Sequence, residues 1–222
     1  MDARAPSRRH TPLRIAMFHA ALILLNGTLY GAAAQAADLS AHDMALLDRL
    51  TWGINASSAA HFQAVGAEHW IQEQLHPPAG SVLPASAQAQ IEAMPDVHKS
   101  LFDIAIEFDQ QGKAANQVAD PDQKKAAQQA YQQAMNDRAK QAAARSILLA
   151  LYAPDQLRQR MIWFWFNHFN VHQYKANIRV LVGDYEDRAI RPFALGKFHD
   201  LLTATTRRCC AISTMPITPP VI

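Results

Sequence analysis

The sequence predicts an all-α fold, an irregular helical domain, and three observations carry that expectation. Apolar residues recur at three- and four-residue steps, as in Met44, Leu47 and Leu50 or Leu157, Met161, Phe164 and Trp165. Hydroxyl, carboxylate, glycine and proline residues bracket these runs where helices start and stop. Period-two alternation is weak everywhere, with Ile178 to Val182 the sole faint strand candidate.

Taken in order, Ser40 followed by Asp43 has the spacing of a capping box and opens a helix that runs to about Leu50, where Thr51-Trp52-Gly53 ends it. A second helix starts with Ser57 or Ser58 as its cap and stops at Gly66. Ala67 to Leu75 makes a third, closed by Pro77-Pro78. From Asp96 to Phe108, the residues Val97, Leu101, Ile104, Ala105 and Phe108 draw an apolar stripe.

Composition then changes. Residues 111–144 hold 11 Ala and 8 Gln among 34 positions. Alanine favours helix, yet so few large apolar groups bury little area. The expectation is an exposed helical insertion projecting from the core, with a frayed start around Asp120-Pro121, or a disordered linker. The chain re-enters the core at Ile147–Leu151, and Pro154 is expected in the first turn of the helix that carries Arg158 to His172 (RQRMIWFWFNHFNVH).

Residues 1–36 read as a signal peptide. Arg4, Arg8, Arg9 and Arg14 precede a short apolar run, Ile15 to Leu25, and Ala34-Gln35-Ala36 supplies a small-x-small cleavage pattern. The apolar run falls short of the ~20 residues a membrane span needs. Arg8-Arg9 is followed by His10 and Thr11, which favours the general export route over the twin-arginine one. A mature chain beginning near Ala37 is therefore expected in the periplasm or cell envelope, with no transmembrane span after cleavage.

Cleavage leaves 17 of the 21 Lys and Arg and 18 of the 19 Asp and Glu, a formal charge of −1. The pI near 8.6 belongs largely to the leader, and nucleic acid has no electrostatic case as a partner. The two cysteines, Cys209 and Cys210, are neighbours and poorly placed to bridge each other.

Two groups of residues invite chemistry. Asn167, His168 and His172 lie on the aromatic segment, with His168 and His172 at the i,i+4 spacing of helical metal sites. The glutamate of the HExxH pattern is missing, and a third ligand would have to come from Asp184, Glu186 or His199. The competing expectation is a core histidine hydrogen-bonded among aromatic neighbours. The second group is Glu186, Asp187, Arg188 and Arg191. Asp187 and Arg191 have helical pair spacing, whereas Glu186 and Arg191 do not. A carboxylate and a guanidinium there suit acid–base or anion-binding work; a helix end pinned at Arg191-Pro192 by an ion pair is the structural alternative.

Three blocks together resemble a known family. They are Leu46-Leu47-Asp48-Arg49-Leu50-Thr51-Trp52-Gly53 with Gly66, Trp70, Ile71, Gln74, Leu75 and Pro77; Leu157-Arg158-Gln159-Arg160-Met161 leading into Phe164-Trp165-Phe166-Asn167-His168-Phe169; and Tyr185 to Gly196 followed by Phe198, Asp200, Leu201 and Leu202. In this order, over roughly residues 39–206, they resemble the exported bacterial family catalogued as domain of unknown function number 1800. The resemblance implies export, a mostly helical architecture and a longer protein, with no settled activity or cofactor. Genes of that family often accompany those of a second exported family of unknown function, number 1501, so the resemblance implies a paired role in the envelope.

After Thr206 the family pattern stops, and residues 207–222 (RRCCAISTMPITPPVI) differ in composition. The family's Tyr-Leu-Asp-Asn motif is recoverable from this stretch in another reading frame. Residues 207–222 are accordingly expected to be an out-of-frame tail without stable packing. The functional expectation is a non-catalytic binding or assembly factor acting with a co-exported partner. The alternative is a periplasmic, metal-dependent enzyme using His168, with Asn167, Glu186 and Arg191 as candidate site residues.

Overall fold

The computed structural model describes residues 39–77, 83–169 and 178–214, and every regular element within them is helical. The signal-peptide expectation lies outside the described residues. Helix α1, Ala41–Leu50, starts where the sequence places it: the Ser40 hydroxyl oxygen accepts the Asp43 N–H at 3.1 Å and donates to the Asp43 carboxylate at 2.8 Å. Helix α2, Ala56–Val65, begins earlier than expected. Asn55 is its cap, its side-chain oxygen accepting from Ser58 N–H at 2.8 Å while the Ser58 hydroxyl receives the Asn55 N–H at 3.1 Å. A reciprocal box satisfies two otherwise orphaned donors, which a cap at Ser57 or Ser58 would not do. Gly66, at φ 81, turns the chain directly into α3, Ala67–Leu75. Leu47, Phe62 and Trp70 form the core of this N-terminal region.

Helix α4, Ala85–Glu92, was not expected; only Ala87 and Ile91, four apart, face inward. Helix α5, Leu101–Gln117, starts later than the apolar stripe suggests because Ser100 and Asp103 close a capping box. Asp96 precedes the helix and pairs with Arg138 and Lys99.

Helix α6, Pro121–Tyr152, has Asp120 as cap and Pro121 in its first turn; its 32 residues span about 48 Å. The Ala/Gln stretch is helical as expected, but it does not project from the core. Tyr131, Met135 and Ala139 are buried, and Tyr131 and Met135 join Leu101, Ile104, Phe108 and Leu181 in one cluster. Small side chains permit this. A methyl group built on Gly183 would sit 3.3 Å from the Ala142 Cβ, so α6 packs closely on the helix that carries Gly183. The amides contribute too: Arg179, buried at 8 % exposure, donates to Gln132 and Asn136 at 2.8 and 2.9 Å.

Helix α7, Gln156–His168, begins after Pro154, which lies before the helix and not in its first turn. Gln74 anchors this start: it donates to the Pro154 carbonyl and accepts the Leu157 N–H, both at 3.1 Å. The weak strand candidate is helix α8, Ile178–Tyr185, with Val180, Leu181, Val182 and Tyr185 buried. A wide π turn, Glu186–Ile190, and a 3-10 turn, Arg191–Phe193, follow.

Helix α9, Phe198–Thr214, runs past the point where packing was expected to stop. Arg208 Nε donates to Asp184 at 2.6 Å, and Ile212 packs against two core clusters. Periodicity alone missed this because a guanidinium anchored to a buried carboxylate and one isoleucine suffice to hold two turns. No described helix is long and apolar enough to cross a membrane.

Candidate functional site

The π turn determines which charged groups meet. Its wider hydrogen-bond ring runs from Arg191 N–H to the Glu186 carbonyl, five residues back. That extra residue per turn places Glu186 and Arg191 on one face, so Arg191 Nη2 donates to Glu186 at 2.7 Å while its Nε donates to Asp187 at 3.1 Å. The α-helical spacing rule admits only the second pair; the π geometry forms both.

Neighbouring helices complete the cluster with residues the sequence did not single out. From α6, Arg145 Nη1 donates to both Asp187 oxygens at 2.5 Å and the Ser146 hydroxyl donates to Glu186 at 2.5 Å. From α7, Gln159 accepts from Arg191 Nη1 at 2.8 Å and donates to Asp155 at 2.9 Å. Arg158 in turn lies 3.3 Å from Asp155. Glu186 thus commits both oxygens, and Arg191 donates from all three nitrogens. The cluster welds α6, α7 and the π turn together. Its geometry suits a pinned helix end, with each oxygen of Glu186 already accepting a hydrogen bond. No local spacing links Arg145, Ser146 or Gln159 to residues 186–191, so nothing in the sequence could have found them.

Beside it, Tyr185 is buried, and this pushes its hydroxyl pKa up; the Cys209 thiol in contact adds to the rise and a Thr205 hydrogen bond opposes it. Cys209 therefore reaches a buried tyrosine although it is itself exposed.

His168 stands elsewhere. At the end of α7 it is exposed and not a core histidine: its ring stacks on Phe164 (centroids 5.8 Å apart, planes at 19°) and meets Trp165 and Phe169 edge-on. Asn167, also exposed, donates to the Trp163 carbonyl at 2.7 Å. The α7 aromatics encircle the helix, so its last turn cannot be wholly covered, and His168 falls on the open side. His168 shares no hydrogen bond or ion pair with Glu186 or Arg191 among the described residues. Asp184 pairs with Arg188 and Arg208, and His199 is exposed beside Asp200. His172, the second candidate metal ligand, lies outside the described residues. Among those described, no three His, Cys, Asp or Glu side chains gather as a metal site.

The exposed aromatics form two ring groups. Trp163 meets Trp52 edge-on at 5.6 Å, with Arg160 over the Trp52 ring, and half-buried Trp165 joins Phe164 to Phe198. Trp163, Phe164 and Phe198 are 57 %, 47 % and 51 % exposed.

The blocks singled out in the sequence all converge on α7. Gln74 caps its start, and Arg160 donates to the Thr51 carbonyl at 2.6 Å. Gln159 holds Arg191, and Trp165 Nε1 donates to the Ala194 carbonyl at 3.0 Å. Fold and site together define an all-helical domain organised around one aromatic helix, with a closed polar cluster and a set of exposed rings along it. The family model described as "Protein of unknown function (DUF1800)" matches residues 45–210, and the chain belongs to that family. No curated protein and no solved structure matches the chain.

Proposed function

We propose that this chain is an exported, non-catalytic binding or assembly factor of the cell envelope, whose α7 face docks a co-exported protein. The observation that carries the reading is the number of exposed rings at α7, Trp52 with Trp163 and Phe164 with His168 and Phe198, beside Leu202, which is 41 % exposed. Exposed apolar groups of this size mark interaction sites, and aromatic side chains are the anchors that such interfaces favour. The candidate acid–base residues support the same reading, because Glu186 and Arg191 hold each other and the surrounding helices.

The partner implied by the resemblance is the exported family numbered 1501, which makes the test specific. Tagged chain and a co-expressed member of that family are isolated together from the periplasm. Wild type is expected to retain the partner, and Trp163→Ser combined with Phe164→Ser to lose it at unchanged circular dichroism. Retention by the double variant would overturn the reading.

A further inference from the structure

A cavity of about 700 Å³ lies between the N-terminal helices and the junction of α6 with α7, meeting the Glu186 cluster only at Asp155. Small-molecule sites commonly have volumes of roughly 300–1,000 Å³. Its described lining includes neither Lys nor Arg. Its two carboxylates are engaged: Glu73 hydrogen-bonds His61 at 2.6 Å, and Asp155 is held by Gln159 and Arg158. A phosphate or carboxylate ligand would find no fixed cation.

The capacity left over is neutral. Tyr152 is 49 % exposed, and its hydroxyl has no hydrogen-bond partner among the described residues. Asn55 uses its side-chain oxygen on Ser57 and Ser58, leaving its NH2 group to donate. Ser57 donates to Asn55 and keeps lone pairs that can accept. A purely apolar ligand would cover these groups without replacing their water and would leave each unsatisfied.

We infer that this cavity binds a neutral, hydroxyl-rich ligand, a segment of an oligosaccharide, with a sugar ring against Tyr152 and hydroxyls meeting Asn55, Ser57 and the His61–Glu73 pair. A sugar offers one face of C–H groups to an aromatic ring, and its rim hydroxyls both donate and accept. That combination matches an exposed tyrosine beside neutral amide and hydroxyl groups. The site is separate from the aromatic docking face and stands whether or not that face binds a protein.

Calorimetric titration of the full chain with uncharged tetrasaccharides of glucose, mannose and N-acetylglucosamine tests it. At least one is expected to bind saturably; Tyr152→Ala should weaken it about tenfold or more, and Tyr152→Phe about two- to threefold. Tyr152 is half-exposed, so its truncation spares the core, and circular dichroism checks this. Trp163→Ser should leave saccharide affinity unchanged. Failure of all three sugars to bind by about 10 mM would overturn the inference, as would full affinity in Tyr152→Ala. So would a peptide that saturates the cavity when no sugar does, because that would assign it to a protein segment.

Discussion

Helices α6 and α7 each depart from the burial that their compositions suggest. Helix α6, poor in large apolar residues over most of its length, buries Tyr131, Met135 and Ala139 along one face. Helix α7, the richest in aromatics, buries only Gln159 and Ile162. The difference shows that burial follows fit to neighbours. Alanines let α6 approach α8 closely enough for Gly183 to meet Ala142, and packing at that distance recovers dispersion contacts that bulkier residues would push apart. The α7 rings point in every direction around the helix, and its neighbours cover only some of them.

The comparison breaks most decisively at Met135, which is 0 % exposed. Met135→Ala should cost about 2–5 kcal/mol, measured by urea unfolding. A loss below about 0.5 kcal/mol would return the Ala/Gln stretch to the role of a projecting insertion.

Arg191→Ala comes next, at about 2–3 kcal/mol, because it leaves two part-buried carboxylates without their shared donor. Arg191→Lys should recover only part of that, since an ammonium cannot bridge Glu186, Asp187 and Gln159 with one planar fork.

A smaller effect is expected with alkali. Burial raises the Tyr185 and Tyr131 pKa values above 10.0, and the hydrogen bond to Glu107 raises Lys99 above 10.5. The unfolded chain releases these protons first, so their stabilisation is complete below about pH 10 and lost as pH climbs through the folded values. Urea midpoints at about pH 8 and 11 should show the fall, and Tyr185→Phe should show less of it. An equal fall in both proteins would assign the loss to other groups.

The smallest expected change in stability is at Trp163, 57 % exposed. Trp163→Ala should alter it by no more than about 0.5 kcal/mol while impairing partner retention. A large destabilisation would mean that the ring serves the fold.

Much of the architecture could be read from local chemistry, because caps act over three residues. Ser40 with Asp43 and the stop at Gly66 stand where the sequence puts them. Long-range fit was not readable in the same way. Ile178 to Val182 carries strand-favouring residues, yet contacts with α5, α6 and α9 hold it as helix. Ala87 and Ile91 alone were too sparse to announce α4. The candidate site divided similarly. The spacing of Asp187 and Arg191 was visible, but the Glu186 pair depends on a turn type that has no simple periodic signature.

That turn also shows how the domain takes up a change in residue count. One supernumerary residue is held between Glu186 and Ile190, so deleting Arg188 or Ala189 would let the chain wind as an ordinary α-helix. Arg191 would then stand four residues after Glu186 and three after Asp187, both helical pair spacings, and the chain downstream would keep close to its present phase. An added residue would exceed what this one turn takes up and would rotate later side chains by about 100° about the helix axis. A gap of a single codon here would thus do less damage than a duplication of one.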